Sequence, residues 1–230
     1  MNIRALAAAS AALGLLASAS AANAVIVVDH ITADDLTGTT LGVNGQTMLY
    51  DFDSIAAANV AYVGNEITTT PDPITNSSPP PWTLGVPVTG AAAPVDPTDY
   101  GSVLGGTSAT FTAGNGYALT SFSFYMGSPD YHNRLLFTFL DGTSQLFKGE
   151  DIWGGTPAGN GDRTAGYRVY YNFGGAEVKS ITFSSINDSF EFDGLAGTVG
   201  VVPEPGTWAL MIMGFGGAGA MIRRRKAALA

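Results

Sequence analysis

Residues 119–126 constrain the fold most: Phe122, Phe124 and Met126 alternate with Ser121, Ser123 and Tyr125. Successive side chains of an extended chain point to opposite sides, so this period of two predicts a strand with one buried face. The same rhythm recurs through Tyr167, Val169, Tyr171 and Phe173. Further β-rich runs at 107–112, 133–140, 143–148, 178–184 and 189–193 are short and bounded by Gly, Asn, Asp and Pro. Asp141-Gly142, between two of them, is a two-residue hairpin signal. No long amphipathic helix interrupts residues 25–202. The pattern predicts an all-β ectodomain, a single β-sandwich or jelly roll.

That domain is expected to be exported. Met1-Asn2-Ile3-Arg4 gives a cationic start, and residues 5–19 are an Ala/Leu-rich run of the length of a signal-peptide core. Ala22 and Ala24 then stand at the −3 and −1 positions of a signal peptidase site. Residues 1–24 are therefore read as a signal peptide handled by the Sec export machinery, with a first core helix as the alternative. Residues 25–202 carry 18 carboxylates against five cations (Arg134, Lys148, Arg163, Arg168, Lys179), a net charge of −13. Such a surface repels nucleic acid and anionic lipid. The chain has no Cys, so no disulfide helps a small core, and stability must come from burial or a bound ion. Residues 71–97 hold eight of the twelve prolines, including Pro79-Pro80-Pro81-Trp82, and read as a long exposed loop.

The other end departs from this acidic pattern. Residues 207–222 are uncharged and mostly apolar, enough for roughly 24 Å of helix against a hydrocarbon core of roughly 30 Å. Trp208 at one end and Arg223, Arg224, Arg225 and Lys226 at the other supply interfacial anchors. A short transmembrane helix at 207–222 with a cationic stop at 223–226 is expected, cations cytoplasmic and the domain outside. Gly214 and Ala218, and Gly216 and Ala220, have small-xxx-small spacing. Upstream, Pro203 and Pro205 bar helix and sheet pairing, leaving an extended strip.

Pro203-Glu204-Pro205, then Trp208-Ala209, a Gly/Met-rich span and an Arg cluster together resemble the PEP-CTERM sorting signal in its PEPxxWA variant. The resemblance covers residues 203–230. It implies a Gram-negative bacterium that makes exopolysaccharide, passage through the inner membrane, and processing near Pro-Glu-Pro by an exosortase. Within the domain, Ser123-Phe124-Tyr125-Met126-Gly127-Ser128-Pro129-Asp130, Asp141-Gly142 and Ser189-Phe190-Glu191-Phe192-Asp193 resemble a group of exosortase-dependent surface proteins of unknown activity. Gly194 departs from that group, where Asn commonly follows the final Asp.

Catalytic signals are sparse. His30 and His132 lie a hundred residues apart, and Ser and Asp sit in no G-x-S-x-G context, so a hydrolase triad is not expected. Asp130, Asp141, Glu150, Asp151 and Glu191 are enough to assemble a glycosidase pair, but any acidic β domain offers as much. No cofactor is expected beyond a structural Ca²⁺, for which Asp51, Asp53 and Asp193 are the candidate ligands, Asp53 and Asp193 each following a Phe near opposite ends of the domain. The alternative for these acids is solvated turns. Sugar faces stack on aromatic rings beside polar groups, which makes Trp82, Tyr131 and Trp153 the carbohydrate candidates, with loop packing the competing role. The expectation is a non-enzymatic surface or biofilm-matrix protein, structural or carbohydrate-binding and associated with exopolysaccharide. A secreted polysaccharide-acting enzyme, glycosidase or lyase, is the alternative.

Overall fold

The alternating runs become strands, as their periodicity requires. The computed structural model describes residues 27–31, 45–67, 80, 99–127, 130–153, 166–202 and 205–228. The signal-peptide segment with Ala22 and Ala24, most of the 71–97 loop with Trp82, and Pro203 and Glu204 lie outside the described residues. In chain order come β1 (Val27–Ile31), β2 (Thr47–Tyr50), β3 (Val60–Val63), β4 (Glu66–Ile67), β5 (Tyr100–Val103) and β6 (Ser108–Ala113). Next are β7 (Tyr117–Gly127), β8 (Asn133–Phe139), β9 (Ser144–Lys148) and a short helix, α1 (Gly149–Trp153). β10 (Gly166–Asn172), β11 (Val178–Ser185) and β12 (Phe190–Val201) close the domain, and α2 (Pro205–Ala228) is the tail.

β7 is the hub. Its one edge carries β12, and residues 121–127 of the other carry β10, which in turn pairs β1. The far edge of β12 takes β5 and then β2, and β5 takes β4. A second run of strands follows the order β3, β6, β11, β8, β9. The pair Leu119↔Val178 joins β7 to β11, so the twelve described strands make one antiparallel, nearly barrel-shaped sheet. The expected sandwich is thus a single sheet folded over on itself.

Aromatic rings fill the space between its two halves. Phe183 on β11 stacks on Phe192 of β12 with centroids 3.9 Å apart, and Phe124 on β7 meets Phe183 edge-on at 5.3 Å. Phe137 on β8 reaches Tyr171 of β10 at 4.8 Å. Such pairs add about 0.5–1.5 kcal/mol each beyond the area they bury. This core is how a cysteine-free chain holds its sheet together.

Two expectations need correction. β7 was to bury one face, yet Ser123 and Tyr125 are as buried as Phe122 and Phe124. The outer side of β7 is covered too: Ser123 Oγ donates to Gln46 Oε1 at 2.5 Å, and Met48 packs with Ala196 and Ile55. The hairpin after β8 is also looser than a two-residue turn. Three residues, 140–142, form the loop: Phe139 N donates to Thr143 O, Gly142 N donates to Phe139 O, and Asp141 Oδ1 accepts from Thr143 N and Oγ1.

The tail differs as well. Residues 205–228 are helical, but among the described residues no helix is long and apolar enough to cross a membrane. Gly214, Gly216, Gly217 and Gly219, with Pro205-Gly206-Thr207 at the start, dilute the apolar stretch expected to span at 207–222. Lengthening the helix at its other end only adds cations.

Candidate functional site

Three arrangements of polar residues stand out. On the outer face of the hub, Arg168, Tyr125 and Asp193 form a cross-strand row over β10, β7 and β12. All three are buried, as is nearby Glu191. Arg168 Nη1 donates to Gly194 O at 2.6 Å and to Ser123 Oγ at 3.3 Å, while Asp193 Oδ1 accepts from Gly194 N and Glu191 Oε1 from Ser189 Oγ. A guanidinium taken out of water is costly unless such acceptors surround it. The row ties three strands together where their apolar faces point the other way.

The second arrangement gathers two turns. The β7–β8 connection brings Asp130 and His132, and the β11–β12 connection brings Asp188. His132 Nε2 lies 3.7 Å from Asp130 Oδ1 and 3.8 Å from Asp188 Oδ2. Asp130 is buried, His132 is 28% exposed at its side chain, and Asp188 is 50% exposed. Burial pushes the Asp130 carboxyl above the usual aspartate range, against the hydrogen bond from His132 N. The turns themselves are fixed by backbone contacts: Ile186 N donates to His132 O, and Asn133 N to Asp130 O. Glycine permits the close approaches that hold them. A Cβ at Gly149, where α1 begins, would overlap the Asp130 carbonyl, and one at Gly105 would overlap that of Asn187.

The acids proposed for Ca²⁺ each accept hydrogen bonds from the backbone. Asp51 Oδ1 accepts from the backbone N–H groups of Asp53, Ser54 and Ile55, which caps its own turn, and Asp53 Oδ1 accepts from Asp99 N. Phe52 and Phe192 do meet, with centroids 5.9 Å apart, so the two ends of the domain come together as their sequence suggested. Asp193 belongs instead to the Arg168 row on the outer face. Among the described residues the group whose ligand atoms converge is Asp130, His132 and Asp188, not Asp51, Asp53 and Asp193. Of the carbohydrate candidates, Tyr131 is half-buried in the turn before β8, and Trp153 ends α1. His132 escaped sequence reasoning because Asp188 lies 56 residues away; the Asp130-x-His132 spacing was the local cue.

The third arrangement is the chain's exit from the domain. β12 ends at Val201, and Val202 N donates to Gly116 O at 2.8 Å. Beyond the next two residues α2 begins, and residues 210–225 are exposed except for half-buried Gly219. Arg223, Arg224 and Arg225 cluster in its last turns. The family model described as the PEP-CTERM protein-sorting motif matches residues 201–226. The tail is a PEP-CTERM sorting signal.

The boundaries of the motif follow the structure. The PEP-CTERM segment starts at the last residue of β12 and runs through the exposed helix to Lys226. Trp208 and Ala209 are in the first turns of that helix; Pro205, expected in an extended strip, instead opens it, because at the first helical position a missing N–H costs nothing. A PEP-CTERM signal directs a protein toward the cell envelope or surface and makes an exosortase its processing partner. No curated protein matches the chain.

Proposed function

We propose that the domain of residues 25–202 is a non-enzymatic structural component of the cell surface or of an exopolysaccharide matrix, delivered there when an exosortase removes the PEP-CTERM tail. Export through the Sec machinery and signal peptidase cleavage after Ala24 precede that step, and the α2 helix is presented to the exosortase at the inner membrane. The observation that carries the reading is the junction: the domain makes its final ladder and turn bonds at Val201 and Val202, and the motif starts there. A cut near Pro203-Glu204-Pro205 therefore spares the folded part.

Carbohydrate contact is the mode of association we favour for the domain. The strongly acidic surface suits a hydrated, cation-rich matrix. Trp82, in the Pro-rich segment, Tyr131 and Trp153 are the rings assigned to it, since most aromatics of the described sheet pack into the core.

Fractionation of the host with and without its exosortase tests the reading. With the enzyme, a shortened form is expected in the envelope or matrix fraction. Without it, the full-length chain should accumulate with the inner membrane. Identical size and location in both strains would overturn the sorting step. Extraction from a strain lacking exopolysaccharide separately tests the matrix association, which predicts loss of the protein to the medium.

A further inference from the structure

We propose that Asp130, His132 and Asp188 bind one divalent transition-metal ion of the Zn²⁺ type, stapling the β7–β8 turn to the β11–β12 turn. The spacing is the first argument. At 3.7 and 3.8 Å, the two Nε2–carboxylate separations exceed hydrogen-bond length. Two ligands each about 2.0–2.2 Å from a shared ion, at tetrahedral to slightly wider angles, stand roughly 3.4–3.8 Å apart. The three donor atoms lie within 4.8 Å of one another, so small side-chain shifts that draw the two carboxylates together would bring all three onto one ion.

Charge is the second argument. Two carboxylates and a neutral imidazole around a dication sum to zero. Without a cation, a buried Asp130 faces a second carboxylate across the cluster. Among the described residues, neither of these acids has a Lys or Arg within ion-pair distance.

Preorganisation is the third. His132 O and Asn187 are held by the Ile186 N–H and by the close approach of Gly105, and Asp130 by Gly149 at the head of α1. The ligands are thus set on backbone that is fixed from both sides, as metal selectivity requires. The partly exposed His132 and Asp188 leave a route from solvent. An imidazole ligand selects against Ca²⁺ and Mg²⁺, which take oxygen, and for Zn²⁺ and its neighbours.

The test uses the full-length chain, stripped with EDTA and freed of chelator. One equivalent of Co²⁺ should develop ligand-field bands in the visible, and Zn²⁺ should remove them while Ca²⁺ does not. Zn²⁺ should also raise the melting midpoint. Asp188→Asn, at a half-exposed side chain, should melt like the wild type in EDTA yet bind Co²⁺ more than about tenfold less tightly. His132→Asn should lose the bands. Absence of bands in the wild type overturns the proposal, and so do bands of equal strength in both variants, which would place the metal elsewhere.

Discussion

At Tyr171 a hydroxyl sits in the aromatic core with no hydrogen-bond partner among the described residues, and burial lifts its pKa well above the phenol's usual 10.0. Nothing in the fold gains from that oxygen, whereas the ring contacts Phe137, Phe147 and Phe124. Tyr171→Phe is expected to stabilise the domain by about 1 kcal/mol, read as a higher urea midpoint at unchanged m-value. Asp141 is the opposite case, an exposed carboxylate whose pKa is held below 3.8, mainly by the hydroxyl of Thr143 and then by its backbone N–H. A depressed carboxyl gives stability that is present above the unfolded pKa and lost as pH falls through the folded one. Asp141→Asn should therefore lower the melting midpoint slightly at pH 7, and the gap to the wild type should close below pH 3.8. A gap that persists in acid would assign the effect to shape, not charge. Asp51, with three backbone N–H groups on one oxygen, should cost about 1–2 kcal/mol as Asp51→Ala. Calcium should not change that loss.

The elements show why some of this was legible and some was not. Strands β6 through β11 follow from period-two runs, because a half-buried strand writes its two faces into alternate positions. β12 was foreseen only as far as Asp193. Its continuation, Gly194-Leu195-Ala196-Gly197, reads as a loop, but register shifts between Asp193 and Ala196 and between Thr198 and Val199 let the strand carry its glycines. β2 to β5 are four residues or fewer, too short to display a period. Burial of the outer face of β7 was hidden for another reason: Ser and Tyr look solvent-facing until Gln46 and Arg168 arrive from distant positions. The Asp130–His132–Asp188 cluster is of the same kind, an outcome of two turns meeting through the pairing of β8 with β11. The paired Phe183 and Phe192, facing each other across the fold, belong to this level too. Phe192→Ala is expected to cost about 3–5 kcal/mol, measured by denaturant unfolding, since the cavity would open in the middle of the ring cluster.

At the scale of the whole molecule the folded domain and its address are separable. A chain ending at Val202 keeps the Val201↔Tyr117 pair and the bond to Gly116 O. It should melt at the same midpoint as the full-length chain, and a markedly lower midpoint would show that α2 supports the sheet. That separation was the most legible feature of the sequence, because the motif is contiguous and its cations interrupt an otherwise acidic chain. The tail also leaves from a particular place. β12, the longest strand, is paired to β7 over most of its length and to β2 and β5 on its far edge. Tension drawn through the C-terminus thus enters the fold along the axis of a strand that is paired on both edges. Perpendicular ladder bonds loaded in shear resist together, where a strand peeled from its end would release them one by one. A domain held through its C-terminus would carry that load along β12, in line with the ladder that joins it to the hub.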